Sequence, residues 1–106
     1  MVSPALEIVF VDVDDTLVRS AGSKRIPIAA VVDRVRALKQ AGATRDCRST
    51  GGSEYARASA HEVRLEDCFV SFLPKPTIMI DDRPPAEWRS CRCVHPFNVA
   101  SIDTES

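Results

Sequence analysis

Val9-Phe10-Val11-Asp12-Val13-Asp14-Asp15-Thr16-Leu17-Val18 is the stretch on which the fold turns. Leu6 to Val11 is an almost continuous apolar, β-branched run, the pattern of a strand buried on both faces. It stops at Asp12, and Asp14 follows two residues on, so in extended chain both carboxylates point to one side. A buried strand ending in paired acids calls for a sheet whose chemistry lies beyond its carboxyl edge.

Working outward, Ser20 to Arg25 is small and polar and reads as a solvated loop. Pro27 is placed to open a helix carrying Ile28, Val31, Val32, Val35 and Leu38 at helical spacing, with Gly42 as its left-handed cap. Ser49 to Ser53 is a turn rich in glycine and hydroxyls, and Glu54 to Leu65 a second helix capped by Ser53. Phe69–Phe72 and Thr77–Ile80 read as short strands, the latter ending at Asp81 and Asp82. Pro84 to Arg89 reads as a short helix and Arg92 to His95 as a last strand. This alternation predicts an α/β fold: a mainly parallel central sheet of about five strands, covered on both faces. Thr44-Arg45-Asp46-Cys47-Arg48 fits badly, because it stands where a buried strand should run and three of its five residues are charged.

The chain has 106 residues, one domain's worth, with residues from about 97 onward as a tail. The formal net charge is -1 and the basic residues are scattered, so nucleic acid is not indicated as a partner. No apolar stretch is long enough to span a bilayer, Ile8 to Val11 being bounded by Glu7 and Asp12, and the absence of a secretory signal pattern leads to an expectation of a cytoplasmic protein. Cys47, Cys68, Cys91 and Cys93 lack the paired spacing of a zinc site. His61 and His95 have no matching ligand spacing and read as structural or surface groups.

If Asp12, Asp14, Asp81 and Asp82 share one rim, like charges require a counter-charge, and a hard divalent cation held through oxygen supplies it. The stretch from Val9 to Val18, an apolar strand followed by D-x-D-x-T-L, resembles the first signature of the haloacid dehalogenase-like hydrolases. Ser49 before Thr50-Gly51-Gly52 resembles the second motif, Lys75 in Lys75-Pro76 the third, and Ile78-Met79-Ile80-Asp81-Asp82 the fourth. The four stand in family order from residue 9 to residue 82.

The resemblance implies a Rossmann-like three-layer sandwich and a Mg2+-dependent phosphomonoester hydrolase working through an aspartyl-phosphate. Asp12 would then be the nucleophile, Asp14 the general acid and base, and Lys75 the charge neutraliser. Ser49, Thr50 and Gly51 would bind the phosphoryl group. Asp12, Asp14, Asp81 and Asp82 would hold the Mg2+. An acid at Asp14 suits phosphate esters, whose leaving oxygen needs a proton. Neither interval between motifs has room for a cap, since separately folded modules below about 40 residues are rare. The implied open site goes with a large phosphorylated substrate, of a class the sequence does not name, or with closure by a neighbouring subunit. The competing expectation is a phosphate- or partner-binding module on the same scaffold, impaired as an enzyme by the charged Arg45–Arg48 segment.

Overall fold

The structure, a computed structural model, describes residues 3–105. Its elements in chain order are β1 (Ile8–Asp12), β2 (Val18–Ala21), β3 (Lys24–Pro27), α1 (Ala29–Gln40), β4 (Thr44–Ser49), α2 (Ser53–Glu62) and β5 (Ser71–Pro74), with short 3-10 turns between and after them. Three parallel strands in the order β1-β4-β5 form the central sheet, and β2 and β3 pair antiparallel as a separate hairpin.

The expected five-stranded, mainly parallel sheet is therefore not what forms. Thr77–Ile80 and Arg92–His95 are not strands, and Phe69–Phe72 gives way to β5 two residues later. The loop read at Ser20 to Arg25 is instead a hairpin, closed by Gly22-Ser23 with Gly22 at φ 63, where a glycine in the first central position suits the twist of the strands. Pro27 ends β3 and does not open α1.

Geometry explains why Thr77–Ile80 stays out of the sheet. The outer side of β1 lies three strand spacings from β5, about 14 Å away. The three residues from Pro74 to Thr77 reach at most about 10 Å. A parallel return would need a crossover of roughly a dozen residues. On the other side of β5, Pro74 and Pro76 have no N–H to offer a ladder.

Among the described residues the sheet is also covered on one face only, so two layers replace the expected three. Val11 and Cys47, on one face of β1 and β4, join a single core cluster with Val31, Val32 and Val35 of α1 and Ala56 and Ala60 of α2. The alternate residues face outward: Ile8 is 68% exposed, Phe10 54% and Leu73 36%. Period-2 alternation is what resolves the charged segment. Asp46 and Arg48 stand on the uncovered face, where Asp46 accepts a hydrogen bond from Ser71 Oγ at 2.6 Å and the Arg48 guanidinium lies 3.7 Å from the centre of the Phe10 ring. Arg45 points inward, is buried, and donates to the backbone carbonyls of Cys68 and Ala43. Carbonyls thus satisfy a guanidinium that would otherwise be costly to bury.

The helix ends follow local rules. Gly42, at φ 91, sends its N–H to Lys39 O while Ala43 N–H reaches Leu38 O, the paired bonds of a Schellman cap. At the far end of α2, Arg64 takes the left-handed role at φ 62 and Leu65 N–H returns to Ala60 O, so the helix stops at Glu62 short of the expected Leu65. Beyond residue 95, the chain folds back on α1: Val99 is buried, and Arg34 donates to Ile102 O at 3.1 Å and Thr104 Oγ1 at 3.2 Å. No helix among the described residues is long and apolar enough to cross a membrane.

Candidate active site at the carboxyl edge of the sheet

Parallel pairing puts the ends of β1, β4 and β5 at one rim, with Asp12 level with Arg48 and Arg48 level with Leu73. Lys75, two residues past Leu73, turns its ammonium across β4 so that Nζ lies 3.0 Å from Asp12 Oδ1. Its backbone is held on both sides. Pro74 fixes one φ, Pro76 restricts Lys75 to extended backbone, and Lys75 N–H donates to Ser49 O at 2.9 Å. The other oxygen of Asp12, Oδ2, accepts from Thr16 Oγ1 at 3.3 Å. Thr16 is delivered by a tight loop in which Val13 O accepts the N–H groups of Thr16, Leu17 and Val18, while Asp15 adopts φ 60. Val13 and Leu17, both fully buried, anchor that loop.

Asp14 faces a partner the sequence did not reveal. Tyr55 of α2 donates its hydroxyl to Asp14 Oδ1 at 2.6 Å. That bond first, then burial and the nearby carboxylate charge, hold the Tyr55 phenol above its ordinary value of 10.0. Tyr55 is in turn gripped by Arg25 of the hairpin, which donates to its hydroxyl at 3.2 Å and to Ser59 Oγ at 3.1 Å and pairs with Glu62 at 3.0 Å. The reading of Arg25 as a solvated loop cation is thereby replaced: it ties the hairpin to α2. Tyr55, to which the sequence assigned no part in the site, is the residue missed. Its only sequence signal was a lone tyrosine two residues into the helix that follows the hydroxyl-rich turn.

The turn between β4 and α2 is built differently from expectation. Ser49 is 1% exposed, and its Oγ accepts the N–H of Gly51 at 3.0 Å. Its hydroxyl thus fixes the turn from inside, and that Gly51 N–H is already used. Gly52, at φ 100, is the residue that caps α2, with Ser53 the first residue of the helix. Gly51 lies against the Tyr55 ring: a Cβ there would stand 2.7 Å from Cδ2. Thr50 and Gly51 are exposed at the rim.

Asp81 and Asp82 are not brought to this corner. They lie in the exposed segment after β5, where Asp81 Oδ1 accepts Arg83 N–H at 3.0 Å. They border a shallow hollow of about 560 Å3 lined also by Glu87 and Trp88. Among the described residues no three His, Cys, Asp or Glu side chains gather as a metal centre would need. A Mg2+ ion shared by Asp12, Asp14, Asp81 and Asp82 therefore does not fit a single chain. The expected convergence of four carboxylates fails for the same reason as the missing strand: the link from Pro74 is too short.

Cys47, beneath the site in β4, has its thiol pushed up to about 12 by burial and then by the charge of Asp12, so it is a packed apolar group and not a nucleophile. Cys68 is buried as well, while Cys91 and Cys93 are exposed thiols. No family model, curated protein or solved structure matches the chain.

Proposed function

We propose that the chain hydrolyses phosphate monoesters at the Asp12 corner. The observation that carries this reading is the placement of Lys75 Nζ 3.0 Å from Asp12 Oδ1, at the rim where the turn into α2 also opens. A carboxylate aimed out of a strand end is a nucleophile for phosphorus, and an adjacent ammonium attracts the dianion and offsets the charge that spreads over the transferring group.

Asp12 attacks phosphorus as the bond to the ester oxygen breaks, giving an aspartyl-phosphate. The departing oxygen takes its proton from Asp14. Water then attacks the same phosphorus, returns a proton to Asp14 and frees inorganic phosphate and Asp12. Tyr55, through its bond to Asp14, fixes where that proton is handled.

The test compares wild type with Asp12→Asn on aryl phosphate, phosphopeptide, sugar phosphate and nucleotide substrates, with and without Mg2+, followed by intact-mass measurement after acid quench. A phosphoryl adduct on wild type alone is expected. Equal turnover by both proteins overturns the reading. The removal of Asp81 and Asp82 from the rim favours a second reading, an anion-binding module without turnover. It is distinguished by calorimetric binding of inorganic phosphate that disappears in Lys75→Met, with no hydrolysis by wild type.

A further inference from the structure

Two unpartnered features of the molecule match one another. One is the outer side of β1, Ile8-Val9-Phe10-Val11, an edge strand with no charge before Asp12, no proline and no strand paired to it among the described residues. Edges of this kind are ordinarily blocked by charges, prolines or bulges. The other is Ile78-Met79-Ile80, in which Ile78 is 81% exposed, Met79 46% and Ile80 100%, followed at once by Asp81. Three consecutive apolar residues in water are an uncovered strand sequence.

Within one chain the two cannot meet. The link from Pro74 to Thr77 falls short of the outer side of β1 whichever way the segment runs, about 10 Å against about 14 Å. The occupant that satisfies both features is a second copy. We propose that residues 77–81 of one copy add in parallel along β1 of another, reciprocally, in a closed twofold dimer. Alternation sets the register. With Ile80 of the partner subunit level with Val11, the two isoleucines face the same side as Val9 and Val11, towards the helices, and Met79 of the partner subunit lies beside Phe10. That register sets Asp81 of the partner subunit next to Asp12. The third carboxylate missing from a single chain is then supplied in trans, which completes an oxygen-lined cation site between subunits. The exchange itself stands on the strand edge and the short link; its catalytic consequence rests on the hydrolase reading.

Sedimentation of the full chain at micromolar concentration tests the exchange. Wild type should be a dimer and Ile80→Pro a monomer, since proline removes a ladder N–H at a fully exposed position whose loss leaves the chain's own fold unchanged by circular dichroism. A monomeric wild type overturns the proposal, as does Ile80→Pro dimerising like wild type. Equilibrating Asp12→Asn with Asp81→Asn then tests the trans site. Half of the dimers formed are mixed and each holds one intact pair, so roughly a quarter of wild-type turnover should return from two inactive proteins. No return from an active wild type overturns the trans placement. A dimer lost in Ile80→Pro, together with a wild type inert on every substrate, supports the exchange and sinks the hydrolase reading instead.

Discussion

Replacing Lys75 by methionine separates the chemical from the structural value of the corner. The ammonium and Asp12 stand 3.0 Å apart, but their side chains remain 42% and 34% exposed, so water screens most of the attraction. Exposed pairs of this kind contribute about 0.2–1 kcal/mol to stability. For a domain of this size the midpoint of thermal unfolding should fall by no more than about 4–8 °C. On the proposed hydrolase reading the transition state differs, because negative charge would spread over the transferring oxygens beside Nζ. Loss of one such positioned donor costs about 10²–10³ in turnover, or about 2.7–4 kcal/mol. Lys75→Met should therefore remain folded and lose two to three orders of magnitude in kcat, roughly. Lys75→Arg, which keeps the charge, should recover part of it. The assays are aryl phosphate and phosphopeptide hydrolysis beside thermal melts on the same preparations. Turnover of Lys75→Met within about threefold of wild type would refute the assigned role. So would a melt so depressed that lost folding accounts for lost activity.

The remaining predictions use other parts of the corner. Tyr55 is the only tyrosine, so ultraviolet titration reports it alone; its midpoint should lie above 10.0 and return towards that value in Asp14→Asn. Gly51→Ala should push the Tyr55 ring, bring the same midpoint down and cost about 1 kcal/mol, read by titration and denaturant melts. A maleimide at neutral pH should label Cys91 and Cys93 quickly and spare Cys47 and Cys68 until the chain unfolds. Cys47 has its folded value raised from 9.0 to about 12, so the stability it contributes is whole below pH 9 and is lost as pH rises towards 12. Cys47→Ala should flatten that alkaline decline in melts taken across the interval.

Much of the site was legible because it sits where strands end. Asp12 closes an apolar run, Ser49 closes β4 and Lys75 follows β5, and these three positions survive even though the sheet around them is smaller than expected. The alternating charges of β4 made that strand fit badly, since Asp46 and Arg48 lie on a face with no covering layer among the described residues and Arg45 is satisfied by the carbonyls of Ala43 and Cys68, the latter 23 residues away. The hairpin was hidden by its polarity: Arg19, Lys24 and Arg25 look like loop residues until Arg25 is seen to bind α2. Thr77–Ile80 shows the opposite error. Its composition is that of a strand, but composition says nothing of whether the preceding link can reach the sheet. Tyr55 was invisible for a different reason, since a hydroxyl's partner 41 residues earlier in the chain leaves no local pattern.

The central position of β4 makes that strand the gauge of the Asp12–Lys75 corner. Asp12 and Lys75 ride on its two neighbours, so the width of one strand, and the reach of one lysine, set how far apart carboxylate and ammonium stand. Insertions or deletions in α1 or α2 can be absorbed by the loops without changing that gap. A single residue added within β4 cannot, because it would turn Cys47 outward, bring Arg48 into the core and slide Ser49 off the backbone of Lys75. Among descendants of this sequence, length should therefore vary in α1 and α2 and stay fixed across the six residues of β4.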